Sequence, residues 1–191
     1  MINKFQLKIL ALFLLLCVTL VGTWGTLTLI PVLILTIATL SIFMTTFIGS
    51  SWLPTPYHVV REVLKETNPK KGQIVYDLGA GDCRFVLEAA KKTKATVIGI
   101  EADPIKCLIG FFRIKMTNLG NAKIMRRNFF SADISNGNIA FCYLPEKTLA
   151  KLVPAFKKMK KGSRIVSYGA KISNLKLAKE LKKEKLYIYT I

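Results

Sequence analysis

Val75-Tyr-Asp-Leu-Gly-Ala-Gly-Asp-Cys-Arg84 is the stretch on which the fold turns. With Gln73 and Ile74 before it, its first half is a short apolar run of strand-forming residues. Gly79 to Asp82 is a glycine turn, and Arg84 to Lys92 then offers Phe85, Leu87, Ala89 and Ala90 in a helical pattern. A strand that runs straight into Gly-x-Gly and then into a helix lets the backbone come close to a ligand. The helix N-terminus adds free N–H groups.

The same alternation continues on either side. Val59 to Thr67 has helical spacing and stops at Asn68-Pro69, and Thr96 to Glu101 reads as a second strand. Pro104 opens a helix to about Leu119, proline being favoured at the first helical position, and Ala122 to Arg126 is a short strand. Ile139 to Tyr143 is a buried strand, Pro145 to Met159 a helix, and Arg164 to Tyr168 a strand. Leu175 to Lys185 reads as a basic amphipathic helix, and Leu186 to Ile191 closes as a strand. Strands alternating with helices predict an α/β fold, a Rossmann-like parallel sheet with helices on both faces. Such a sheet binds its ligand at the carboxyl ends of the strands.

Two carboxylates mark that end. A dinucleotide site would want a third glycine where Arg84 stands, and no carboxylate beside the pyrophosphate. Asp77 instead precedes the first glycine by two residues, which suits a cation such as the ammonium of a methionine moiety. Glu101 ends the next strand, 24 residues after Asp77, where an acid can accept both hydrogen bonds of a ribose diol.

Composition divides the chain. Ile9 to Val60 contains no Asp, Glu, Lys or Arg, and all 11 acidic residues lie from Arg61 onward. The boundary predicts an anchor at residues 1–52 and a globular domain at 53–191. Two apolar runs, about 7–24 and 27–48, flank Gly22-Thr-Trp-Gly-Thr26. The second is about 33 Å long as a helix, enough to span a bilayer core. The expected arrangement is a transmembrane helical hairpin. A cleaved signal peptide with one span, or a soluble protein with an apolar arm, are the other readings. Lys4 and Lys8 at the start of the first run and the basic domain after the second place both ends in the cytoplasm by the positive-inside rule. Localisation is therefore expected to be a two-span membrane protein with its domain on the cytoplasmic side. Net charge is +18, which draws a membrane-held domain to anionic headgroups. Nucleic acid is the less expected use of that charge. The four cysteines lack metal spacing and His58 is the only histidine, so no metal site and no serine-type triad is expected.

The order and motifs resemble the class I S-adenosylmethionine-dependent methyltransferases, and more closely the FAM173-type membrane-anchored protein-lysine methyltransferases. The matching stretches are Leu53-Pro-Thr-Pro56 with Val59-Val60, then Val75 to Arg84, Gly99-Ile-Glu101, Arg127-Asn-Phe-Phe130, Tyr143-Leu-Pro145 and Gly162-Ser-Arg-Ile-Val-Ser167. They cover about Leu53 to Ile191. The resemblance implies S-adenosylmethionine as cofactor. It would be held at its methionine end by Asp77, Gly79 and Gly81, with Tyr76, Ala80 and Asp82 beside them. Glu101 and Ala102 would meet the ribose, Asn128 and Phe129 the adenine. Pro54, Thr55, Pro56, Tyr143, Leu144 and Pro145 would line the acceptor side, with Tyr143 and Thr55 the candidates for direct action on the acceptor. Cys83 and Asn128 depart from the family, which usually has glycine and an acid there. The implied activity is lysine N-methylation of a membrane-associated protein, with membrane lipids as partners through the hairpin and the basic surface. The rivals are methylation of a lipid or lipophilic small molecule, and a non-catalytic membrane-bound binding module.

Overall fold

The computed structural model describes Leu15, residues 29–48 and residues 54–191. The chain divides between Phe47 and Ile48 into two units. In the first, helix α1 runs Leu29–Ile48, and Thr36 and Thr39 return their hydroxyls to the carbonyls of Val32 and Leu35. Apart from Leu15, the expected first span at residues 7–24 lies outside the described residues, as does the turn at Gly22 to Thr26. Among the described residues no helix is long and apolar enough to cross a membrane. The side chains described in α1 are those of residues 30–39 alone.

The second unit is a seven-stranded sheet with helices on both faces. In chain order it comprises α2 (Tyr57–Thr67), β1 (Ile74–Leu78), α3 (Arg84–Lys92), β2 (Thr96–Glu101), α4 (Pro104–Thr117) and β3 (Ala122–Arg126). It continues with β4 (Ile139–Cys142), α5 (Glu146–Phe156), β5 (Arg164–Tyr168), β6 (Leu177–Leu181) and β7 (Leu186–Thr190). The spatial order is β3-β2-β1-β4-β5-β7-β6, with β1 to β5 parallel and β7 antiparallel to both neighbours. The sheet is therefore mixed, where the sequence predicted a parallel one.

Strand periodicity of two sorts the side chains. Val75, Val97, Phe141 and Val166 point to the face packed by Val59, Val60 and Val63 of α2 and by Phe85, Val86 and Ala89 of α3. Phe85 and Phe141 stack there with centroids 4.2 Å apart. Tyr76, Leu78, Ile100 and Ile165 point the other way, onto Leu149, Leu152 and Phe156 of α5. Asp77, Glu101 and Tyr143 are in phase with the first set. They therefore share one face at the carboxyl end of three adjacent strands.

The segment predicted as a helix from Leu175 to Lys185 is instead β6 and its turn. Its Leu-Lys-Leu-Ala-Lys-Glu-Leu pattern has good helical propensity, but propensity is a weak prior when a strand edge is available. Strand β7 would otherwise leave a row of backbone N–H and C=O groups unpaired beyond β5. Pairing with Leu177, Lys179, Glu180 and Leu181 satisfies them. The Lys179 ammonium also reaches Glu66 of α2, at 2.7 and 2.8 Å.

Candidate active site

The glycine turn is held from behind by β2. The N–H groups of Gly79 and Ala80 both donate to the Ile100 carbonyl, at 2.9 and 3.1 Å. Gly79 and Gly81 take φ of +85° and +53°, left-handed conformations that favour glycine. A Cβ on Gly79 would stand 3.3 Å from Leu144 Cδ2, so the backbone here is an uncovered surface only because no side chain is present.

Glu101 braces the turn from the neighbouring strand. Its Oε2 accepts from the Gly81 N–H at 2.8 Å and its Oε1 from the Asp103 N–H at 2.9 Å. A carboxylate has about four lone-pair positions, so both oxygens keep capacity for a diol. Asp103 in turn caps α4, accepting from the N–H groups of Ile105 and Lys106. Asp77 differs. It is buried, and no described side chain or backbone group hydrogen-bonds its carboxylate. Burial, then the charges of Glu101 and Asp82, push it up to about 8. A buried carboxyl without a partner is costly unless a cation arrives to pair with it.

Asp82 has its partners already. Its carboxylate accepts from the Arg84 N–H and from Arg113 of α4, and the same Arg113 Nη1 reaches the Asp82 carbonyl at 2.6 Å. Tyr76, expected among the cofactor contacts, places its side chain on the α5 face. Its hydroxyl donates to Asn136 at 2.8 Å, in the turn before β4 and so at the opposite end of the sheet. The period of two rules out a side-chain contact with the turn, leaving only its backbone near the site.

Past β3, Asn128 is exposed and its Oδ1 accepts from the Phe130 N–H at 3.0 Å, closing a local turn. Phe129 is 3% exposed and belongs to the α5-side core, whereas Phe130 is 41% exposed, with ring centroids 4.7 Å apart. Phe130 is thus the ring open to solvent at this edge. Ala102 is half-buried just past β2.

Past β4, Tyr143, Leu144 and Pro145 line a cleft of about 390 Å³ with Tyr168, Gly169, Ala170 and Lys185. The Tyr143 and Tyr168 rings are tilted with centroids 4.5 Å apart, and Tyr143 Cε2 stands 3.3 Å from where a Cβ on Gly169 would lie. Leu144 joins this cleft to Gly79. Burial and the neighbouring Tyr168 raise the Tyr143 phenol, so it stays protonated at neutral pH. Pro54, Thr55 and Pro56 do not line this cleft. They lead into α2, whose Tyr57 ring lies 5.0 Å under the Arg84 guanidinium, beside the glycine turn. Among the described residues no cluster of His, Cys, Asp and Glu is disposed to hold a metal.

Residues 77–179 match the ANTKMT methyltransferase domain. A protein-lysine N-methyltransferase of Saccharolobus islandicus (strain REY15A) is 33% identical over 120 residues, covering 61% of this chain and 74% of that one. The chain belongs to the ANTKMT methyltransferase domain family. It is also similar to a Caenorhabditis elegans lysine N-methyltransferase of an ATP synthase component, 29% identical over 99 residues and 51% of each chain. Among solved structures, an RNA methyltransferase from Salinibacter ruber in complex with S-adenosyl-L-homocysteine superposes with a TM-score of 0.69. It is 29% identical and covers 73% of this chain and 94% of that one.

Membership makes the enzyme an S-adenosylmethionine-dependent methyltransferase, and the residues fit that cofactor. Asp77 would offer an unpaired carboxyl to its ammonium, Glu101 an acceptor to its ribose, and the Gly79–Gly81 backbone a bed between them. When bound, S-adenosylmethionine supplies a methyl group already activated on a sulfonium. The protein's share is alignment, which alone supplies much of the rate in such displacements.

Cys83, where the family usually carries glycine, has φ +61° and is the N-terminal cap of α3. That left-handed backbone is why glycine suits the position. The thiol is accommodated because α4 has Gly110 opposite: a Cβ there would meet Cys83 Sγ at 2.6 Å and Ile124 Cδ1 at 2.7 Å. Burial, then Asp77 and Asp82, push the thiol well above its ordinary range, so Cys83 is an inert packing group. A Gly110→Ala variant is accordingly expected to lose about 1–3 kcal/mol of stability through overpacking. Adding Cys83→Gly should restore part of it, as chemical denaturation of the two variants would show. Equal losses in both would mean that the thiol is not what Gly110 makes room for.

Proposed function

We propose that this enzyme methylates the side-chain amine of a lysine on a membrane-apposed protein. The observation that carries the reading is the paired-tyrosine cleft of Tyr143 and Tyr168 beside Gly79. A lysine stem could lie along the two tyrosine rings with Leu144 and Pro145 beside it, and an ammonium or methylammonium is drawn to aromatic faces. A partly apolar cleft also lowers the lysine pKa, which releases the amine lone pair without a dedicated base. Lysine as acceptor is further supported by the Saccharolobus and Caenorhabditis relatives.

The membrane part rests on sequence. The uncharged run from Ile9 to Val60, with Lys4 and Lys8 before it and a basic domain after it, reads as a hairpin anchor with both ends cytoplasmic. The second run is helical from Leu29 to Ile48. Quantitative mass spectrometry of membrane and soluble fractions, from cells with and without the gene, tests both parts. The expected result is gene-dependent methyl-lysine on membrane proteins. It should be lost when the gene is replaced by a Tyr143→Ala form that still binds S-adenosylmethionine. Marks confined to soluble proteins, to lipids or to RNA would refute the reading.

A further inference from the structure

Helix α4 carries an apolar surface that the fold does not use. Its one buried residue is Gly110, which seats it on Cys83. Leu108, Phe112 and Met116, spaced four residues apart, are 55%, 56% and 85% exposed, with Ile109 and Phe111 beside them. Phe111 and Phe112 meet edge to face at 5.8 Å, so the exposed rings form one surface. The surface continues into a groove of about 420 Å³ between α4 and the edge strand β3, walled by Phe111, Ile114, Leu119, Ile124 and Met125. Exposed patches of this kind mark interaction sites.

The charge around the patch has one sign. From Pro104 to Ala132 there is no Asp or Glu, and Lys106, Arg113, Lys115, Lys123, Arg126 and Arg127 are basic. Lys106 pairs with Asp103, and Arg113 with Asp82. Lys115, Lys123, Arg126 and Arg127 are exposed and enter none of the ion pairs among the described residues. A second copy of this face would bring the same positive charge against it. RNA would match the charge but give Leu108, Ile109 and Met116 nothing to bury against. A bilayer surface with anionic headgroups matches both, since apolar side chains enter the acyl boundary while Lys and Arg stay at headgroup level.

We propose that α4 and β3 form a docking face for an anionic bilayer, on which the apolar row of α4 inserts and the basic residues of β3 rest. The proposal deepens the membrane-apposed reading above and rests on it for the choice of a bilayer. The face adjoins the site, because α4 begins just past Glu101 and β3 leads into Asn128. Docking would therefore bring the cofactor end of the sheet towards the headgroups.

Photolabelling tests this on the full chain in nanodiscs of phosphatidylcholine, with or without phosphatidylglycerol, using a lipid that carries a diazirine in its acyl chain. With phosphatidylglycerol, adducts are expected on residues 104–127, centred on Leu108, Phe112 and Met116. Removing the anionic lipid, or making Lys115→Ser, Lys123→Ser, Arg126→Ser and Arg127→Ser together, should lower them roughly tenfold or more. Leu108→Ser, Phe112→Ser and Met116→Ser together should abolish them with S-adenosylmethionine binding intact. Domain adducts that fall elsewhere or nowhere, cross-links joining two α4 helices, or RNA protecting this face would overturn the proposal. Adducts on residues 1–52 report the anchor separately, and a lysine-methylation assay reports the acceptor. The failure of either reading is therefore distinguishable from failure of the docking face.

Discussion

An Asp77→Asn variant will bind S-adenosylmethionine about tenfold or more weakly, the usual cost of a lost charge-assisted hydrogen bond, and yet unfold at a higher temperature than its parent. The two effects have one cause. Asp77 is buried without a hydrogen-bond partner, and burial with Glu101 and Asp82 nearby raises it from 3.8 to about 8. Between those two values the folded state holds a proton that the unfolded state has released, so stability falls as pH rises through that window. Asparagine is neutral at every pH and escapes this loss, on the order of a few kcal/mol near neutrality. Pairing with an ammonium would let Asp77 ionise, and cofactor binding would then release a proton. Affinity should then climb on the order of tenfold from pH 6 to pH 7.5, and the asparagine variant should show no such slope. Calorimetric titration and thermal unfolding at the two pH values measure both. Normal affinity in the variant would remove Asp77 from the cofactor site, and a lower melting temperature would refute its being held protonated by burial.

Glu101→Gln is expected to fail on both counts. The two carboxylate oxygens accept from the Gly81 and Asp103 N–H groups. An amide presents one acceptor and one donor, so whichever way it turns, one buried N–H faces an NH₂. Leaving a buried donor unsatisfied costs about 1–3 kcal/mol, and the glycine turn loses its brace. Lower stability, with cofactor affinity reduced about tenfold or more, separates Glu101 from Asp77, whose conservative variant moves the two in opposite directions. If Glu101→Gln binds S-adenosylmethionine as the parent does, the ribose assignment is wrong.

The parts of this site that are legible in the sequence are those made by neighbours in the chain. Asp77, Gly79 and Gly81 lie within five residues, and a strand must carry Glu101 to the same sheet end if β2 pairs in parallel beside β1. What depends on distant pairing was not legible. Tyr168 joins Tyr143 only because β4 and β5 are neighbours in the sheet. Arg113 reaches Asp82 from 31 residues away. The Leu175–Lys185 segment is decided by the open edge of β7, which its own pattern does not reveal. Phe129 was expected at the adenine, yet it is the ring in the core and Phe130 the exposed one; β3 ends at Arg126, after which strand alternation no longer says which ring turns inward. The small side chain at position 83 was legible as tolerable, but its reason sits at Gly110 on another helix.

The clasp between Arg113 and Asp82 makes one guanidinium common property of two surfaces. Its stem belongs to the helix with the outward apolar row, and its head to the glycine turn that would carry the cofactor. Ligands that meet through such a shared element obey a reciprocity: whatever factor the first applies to the affinity of the second is returned in full. If contact with lipid tightens the hold on S-adenosylmethionine, then loading the cofactor tightens the hold on lipid by that same factor. The spent cofactor, carrying no sulfonium charge, returns its own factor. The enzyme's dwell time on a membrane would then be set partly by whether its methyl group has been used.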